Sequence, residues 1–204
     1  MVNEKPILFC DFDGVLCHDR YWRSVPADKL EAIQELLFLN DTSLVNDWMR
    51  GKHTSEEINQ FISEKIDMPF NKLWDIFIND CKKMKVSLKA LEKLHQLRSK
   101  YTVILITGNM DSFTRFTHPE LMLDNYFDYI SNSYYEGMHK SDNNGELFLK
   151  YISKYNVAIE NCILFDDSIK NGDIFTNLGG TSYLVTPEKD IIFHLDNLIN
   201  FDNK

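Results

Sequence analysis

The sequence predicts an α/β protein: a parallel sheet with helices on both faces, interrupted by an inserted all-helical segment. Three observations predict it. The runs ILFC (residues 7–10), YTVILI (101–106) and CILF (162–165) are apolar without alternation, which suits strands buried on both faces. From Val86 onward such runs alternate with stretches of helical periodicity, the pattern of a parallel sheet. Between the first two runs lie only helix-periodic stretches, with no strand among them.

The first strand ends where Asp11 and Asp13 arrive as a D-x-D pair. Gly14 then permits the sharp backbone change that ends it. Two carboxylates leaving a buried strand together repel and raise each other's pKa. A hard cation such as Mg²⁺, which favours carboxylate and phosphate oxygens, would answer that repulsion. Residues 15–85 read as helical throughout. Leu30, Ile33 and Leu37 share one face of a helix that Pro26 helps to start. Val45, Trp48 and Met49 mark a short helix ending at Gly51. Thr54 with Glu57 makes a capping box ahead of Ile58, Phe61 and Ile62. Pro69 opens a fourth helix carrying Leu73, Trp74, Phe77 and Cys81. The bundle begins directly after the D-x-D turn, so it is expected to perch over that end of the sheet. The division that follows is a core of residues 1–16 and 86–204 and a helical cap of residues 17–85.

Residues 87–99 are predicted helical, with Leu88, Leu91 and Leu94 inward, before the strand at 101–106. Residues 111–125 are polar and partly helical, broken by Pro119. A short strand follows at 127–131, then a helix at 145–155 carrying Leu147, Phe148, Tyr151, Ile152 and Tyr155. After the strand at 162–165 come a last strand at 181–185 and a final helix at 188–201.

With 204 residues the chain buries a full core. Its 44% hydrophobic and 26% charged residues place it among ordinary globular proteins rather than disordered or membrane ones. A net charge of −9 argues against a general grip on nucleic acid and against anionic membrane surfaces. The opening MVNEKPILFC has too short an apolar run for a signal peptide or a spanning helix. Cys10, Cys17, Cys81 and Cys162 lack C-x-x-C spacing, so they read as reduced thiols of a cytoplasmic protein rather than zinc ligands.

Ligands of such sheets bind beyond the carboxyl ends of the strands. The first strand ends in Asp11 and Asp13, the second in Thr107, Gly108 and Asn109, and the CILF strand in Asp166, Asp167 and Ser168. Between them Gly137-Met138-His139-Lys140 leads into a helix. Taken singly, Thr107-Gly108-Asn109 is a strand-ending turn, Lys140 a solvated lysine and Asp166-Asp167-Ser168 a helix cap. Taken together, four carboxylates, a hydroxyl, flexible amides and an ammonium at one edge read as a metal-plus-phosphate site.

The order D-x-D-G, strand-Thr, G-x-x-K, strand-D-D-S resembles the haloacid dehalogenase superfamily in its phosphatase branch, over nearly the whole chain. LFDDSIKNGDIFTNLGGTSYLV and WMRGKHTSEE are similar to the subgroup holding sugar-phosphate phosphatases and the amino-terminal phosphatase domain of soluble epoxide hydrolases. The resemblance implies a Rossmann-like core with a small helical cap. It implies Asp11 as nucleophile, forming an aspartyl-phosphate, and Asp13 as general acid and then base. Mg²⁺ would be held by Asp11, the Asp13 backbone carbonyl and Asp167, with Asp166 acting through water or orienting the shell. Thr107 and the Gly108 and Asn109 amides would hold phosphoryl oxygens, Lys140 would hold nucleophile and phosphate, and Asn171 would fix the loop. Ser141 follows Lys140 where the pattern continues with proline, which leaves Lys150 as the alternative lysine. The implied activity is a phosphatase for a small phosphorylated metabolite of the sugar-phosphate or nucleotide class. A phosphomutase and a non-catalytic phospho-accepting module are the alternatives. Dehalogenases need no acid at Asp13, because halide leaves unprotonated.

Overall fold

Strands β1 (Ile7–Cys10), β2 (Thr102–Thr107), β3 (Tyr129–Asn132), β4 (Ile163–Asp166) and β5 (Thr181–Leu184) form one parallel sheet in the order β3-β2-β1-β4-β5. The structure, a computed structural model, describes residues 5–201. The helices are α1 (Ala27–Gln34), α2 (Ser43–Trp48), α3 (Ser55–Lys65), α4 (Phe70–Lys82) and α5 (Leu88–Leu97) between β1 and β2, and the short α6 (His118–Glu120) after β2. They continue with α7 (Ser133–Glu136) and α8 (Glu146–Tyr155) after β3, α9 (Ile169–Asn177) after β4 and α10 (Ile191–Phe201) after β5. No described helix is long and apolar enough to cross a membrane.

The unbroken apolar runs are explained by helices on both faces. Leu8, Cys10, Val103 and Leu105 pack with Leu91 and Leu94 of α5 and Leu195 of α10. Ile7, Phe9, Ile104 and Ile106 pack on the other face with Phe148 and Tyr151 of α8 and Phe175 of α9. Register then decides what meets at the carboxyl edge. Cys10 stands opposite Leu105 and Phe165, so one residue on, Asp11 is level with Asp166.

The helices α1 to α4 build a separate apolar cluster around Trp22, Ile33, Leu37, Trp48, Ile62 and Phe77, into which Met110 projects from beyond β2. Trp22 packs 4.8 Å from Phe77, centroid to centroid, and its Nε1 donates to Asn59 Oδ1 at 2.9 Å. The Thr54–Glu57 capping box forms, starting α3. A buried carboxylate, Asp111, ties this layer to the sheet. It accepts from Trp48 Nε1 at 3.0 Å, from the Ser55 hydroxyl at 2.6 Å and from Arg115 Nη1 at 2.8 Å. Chain entry and exit lie side by side, since Cys17 forms an isolated antiparallel bridge with Val86.

Three local expectations are corrected. Helix does not begin at residue 15 but at Ala27. Pro26 fixes its own φ and holds the preceding residue extended, and residues 23–24 are tied to α4 instead, where Ser24 donates through its amide and hydroxyl to Asp80 at 2.9 and 2.6 Å. Leu88 is not inward: it lies in the first turn of α5 and is 58% exposed, while Ala90, Leu91, Leu94 and Leu97 cover the sheet. Pro119 does not break its helix. The wide π turn of Phe113–Thr117 passes directly into α6, and such a turn accommodates the proline's missing N–H. All four cysteines are free and buried.

Candidate active site

Asp11 is fixed by extending the β1–β4 ladder one residue, its N–H donating to Phe165 O at 2.9 Å. Its Oδ1 accepts from Phe12 N at 2.8 Å, which turns Oδ2 toward Lys140 Nζ at 2.5 Å. The same ammonium lies 2.6 Å from Asp166 Oδ2. Lys140 is therefore buried between two carboxylates, whereas Lys150 is exposed and paired with Glu136. Lys140, not Lys150, is the lysine that lies against Asp11 and Asp166, although a serine follows it. Asp166 is saturated further by Ser168 N at 2.9 Å and by Asn171 Nδ2 at 3.1 and 3.2 Å. Asn171 thus holds the D-D-S loop by its side chain, while Ser168 caps α9 by accepting from Asn171 N.

Asp167 faces outward and is exposed. Gly14 has φ +75°, and a Cβ there would lie 1.9 Å from Asp167 Oδ2. Only glycine gives both the turn and the room for that carboxylate. Oxygens of Asp11, Asp166 and Asp167 lie within 4.8 Å of one another.

Asp13 stands apart from this group. Its Oδ2 accepts from Asn109 Nδ2 at 2.6 Å, and Asn109 Oδ1 accepts from the Tyr21 hydroxyl at 2.6 Å. Met110 N also donates to Asn109 Oδ1, at 3.2 Å. A backbone N–H only donates, so the Asn109 amide is oriented with its NH₂ toward Asp13. The backbone N–H of Asn109 donates to Ser133 Oγ at 3.0 Å. That corrects the expectation of an Asn109 amide turned to a phosphoryl oxygen: the side chain is the part that reaches the site. Thr107 is buried behind it, its hydroxyl accepting from Asn109 Nδ2 at 3.3 Å.

Asp11, Asp13, Gly108, Lys140 and Asp167 line one polar cavity of about 360 Å³, with Arg50, His139 and Lys170 on its rim and wall. Asp166 backs Lys140. Arg50 clasps Asp142 through two nitrogens, at 3.0 and 2.9 Å, joining the helical layer to the lysine loop. The roles of Tyr21 and Arg50 were not read from the sequence. Tyr21 lacks a motif, and Arg50 stands only within the WMRGKHTSEE resemblance, ahead of the Gly51 turn, with no role attached.

Burial pushes Asp11 up to about 8, with Lys140 pulling down and Asp166 pushing up. Burial also raises Asp13 to about 6 against the pull of Arg20 and Lys140, and raises Asp167, with Asp166 adding to it. Burial pulls the Lys140 ammonium down, but Asp11 and Asp166 more than reverse that and leave it above its ordinary value. Four acids thus surround one cation, and the surplus negative charge is costly in a buried place. Converging carboxylate oxygens with surplus charge are the donor set of a hard divalent cation that keeps part of its water. The residues present fit Mg²⁺: Asp11 and Asp167 offer carboxylate oxygens, and Asp166, held by Lys140, Ser168 and Asn171, stands behind them in the same group.

Fold and site define an α/β protein with an acid-and-lysine centre at the carboxyl edge of its parallel sheet. The family model for haloacid dehalogenase-like hydrolases matches residues 6–175, and the chain belongs to that family. A search of curated proteins finds no match. Among solved structures, a predicted HAD-like family hydrolase from Porphyromonas gingivalis is 20% identical with a TM-score of 0.75, covering 96% of this chain and 98% of that one. A HAD family enzyme from Bacteroides thetaiotaomicron, in complex with magnesium and inorganic phosphate, is 19% identical with a TM-score of 0.71, covering 91% and 96%. An L-2-haloacid dehalogenase is 12% identical with a TM-score of 0.64, covering 96% and 99%. At these identities the likeness speaks for the fold.

Proposed function

We propose that this chain is a Mg²⁺-dependent phosphatase that hydrolyses a small phosphate monoester through an aspartyl-phosphate on Asp11. The observation that carries the reading is Asp13, a second acid held by Asn109 away from the three-carboxylate group and facing the same cavity. An alkoxide leaving group needs a proton from such an acid. A halide leaves without one, so dehalogenation would give Asp13 nothing to do.

Asp11 Oδ attacks phosphorus, the bond to the ester oxygen breaks, and Asp13 delivers its proton to that oxygen. Asp13, now ionised, takes a proton from water as the water oxygen attacks phosphorus, and the bond to Asp11 breaks to release phosphate. The raised Asp13 value, about 6, suits a group that gives and regains a proton near neutrality. Lys140 holds Asp11 and the phosphoryl oxygens by charge, and the Gly108 amide supplies a further donor at the cavity wall. Mg²⁺, held by Asp11, Asp167 and the Asp13 carbonyl with Asp166 behind, would neutralise the repulsion between carboxylate and phosphate. Residues 17–85 act as a cap that excludes water. Buried thiols suit a reducing, cytoplasmic compartment.

The experiment is phosphate release from a panel of phosphate monoesters, with Mg²⁺ and with chelator, for the wild type and Asp11→Asn. Metal-dependent release lost in Asp11→Asn is the expected result. Release that persists in Asp11→Asn would remove Asp11 as nucleophile.

A further inference from the structure

A second cavity, of about 490 Å³, opens from the polar one and shares Asp13 and Gly108 with it. Its size suits a ring-sized small molecule. The α1 side of its wall is Leu30 and Ile33, and Met49 and Met110 contribute further apolar surface. Phe38 and Leu39 stand at its mouth, 40% and 69% exposed, on the π turn that follows α1.

The polar atoms of the inner wall are already engaged. The Tyr21 hydroxyl and the Asn109 amide serve each other and Asp13. Trp22 Nε1 donates to Asn59, and Asp19 Oδ2 accepts from Lys85 N. Gln34 and Arg20, which also line the cavity, are exposed. Gln34 and Arg20 apart, a hydroxyl-rich group entering here would lose water and find few free partners, whereas an apolar group would meet the carbon of Leu30, Ile33, Met49 and Met110. Two apolar side chains left open at the mouth fit the same occupant.

We propose that the group released from phosphate is apolar, an aryl or alkyl alcohol seated between Tyr21, Ile33 and Phe38, rather than a sugar. The inference rests on the phosphatase reading and departs from the sugar phosphate that the sequence resemblance implies. Asp13 lies where the two cavities meet, so the ester oxygen falls beside it when phosphate occupies one cavity and the apolar group the other.

The test is calorimetric binding, in Mg²⁺, of phenylphosphonate, hexylphosphonate and a sugar phosphonate, none of which turns over. The apolar ligands are expected to bind at least tenfold tighter than the sugar one, and Phe38→Ser and Leu39→Ser are expected to shrink that ratio at least threefold. Both substitutions are at exposed positions, so folding is retained. Equal or tighter binding of the sugar phosphonate, or a ratio that neither substitution moves, overturns the proposal. Acetyl phosphate, which has no apolar leaving group, separates the two readings. Asp11-dependent hydrolysis of it without any apolar preference leaves the phosphatase standing and removes the apolar pocket. Apolar preference with no Asp11-dependent phosphate release from phenyl phosphate or from acetyl phosphate keeps the pocket and removes the reaction.

Discussion

Replacing Lys140 by methionine removes the cation from between two buried carboxylates and keeps the length of the side chain. Asp11 and Asp166 lie 2.5 and 2.6 Å from Nζ, and Lys140 itself is 5% exposed. Breaking a buried pair by deleting one partner costs about 3–5 kcal/mol, because the remaining charge is uncompensated. With a urea slope of roughly 2.5 kcal/mol/M, the midpoint falls by about 1–2 M. The measurement belongs at alkaline pH, because burial raises Asp11 and loss of the Lys140 cation that pulls it down raises it further, so that protonation would otherwise hide the uncompensated charge. In chelator Lys140→Met should show the full loss. With Mg²⁺ at a hundred times its dissociation constant, about 2.7 kcal/mol should return by linkage. Lys150→Met is the control: Lys150 pairs with Glu136 from a position 53% exposed, and loses about 1 kcal/mol or less. Equal losses for the two lysines in chelator, or no recovery with Mg²⁺, would refute the reasoning that Lys140 offsets surplus acid at a cation site.

Asp111→Ala leaves Trp48 Nε1 and the Ser55 hydroxyl without their acceptor, while Arg115 keeps Glu56. A loss of about 2–4 kcal/mol in urea unfolding is expected, and one under about 1 kcal/mol would mean that this carboxylate does not anchor the helical layer. Tyr21→Phe removes the donor to Asn109 Oδ1; kcat should fall roughly tenfold with KM little changed, and an unaltered kcat would dismiss Tyr21 as a positioning residue. Asp167→Asn should raise the Mg²⁺ needed for half-maximal phosphate release about 10–100-fold. An unchanged metal titration would contradict Asp167 as a ligand.

What was legible in the sequence was whatever depends on neighbours along the chain. ILFC, YTVILI and CILF read as buried strands because helices cover both sheet faces, and Asp11, Thr107 and Asp166 stand together because parallel register aligns strand ends. Lys140 needed the fold to be chosen over Lys150, since only the path of its loop decides which ammonium reaches Asp11. Tyr21, Asn109 and Asp13 form their chain across 88 and 96 residues of separation, which no local pattern encodes. The same holds for the Asp111 anchor. Leu88 went astray at a helix end, where periodicity names a face but not whether that face still meets the sheet. Pro119 went astray because a widened turn absorbs a proline that would stop a regular helix.

The Cys17–Val86 bridge has a consequence for how such a protein changes over generations. The chain leaves for its helices and returns at one point. Every carboxylate of the centre, with Thr107, Gly108, Asn109 and Lys140, is encoded outside residues 18–85. Ten of the fourteen residues lining the apolar cavity are encoded inside that stretch. One contiguous piece of gene can therefore be exchanged, or accumulate substitutions, with both its ends already adjacent and the sheet edge untouched. Tyr21, which orients Asn109, constrains such drift, as do Trp48 and Ser55, which hold Asp111, and Arg50, which clasps Asp142, because each lies inside the exchangeable piece and binds a residue outside it.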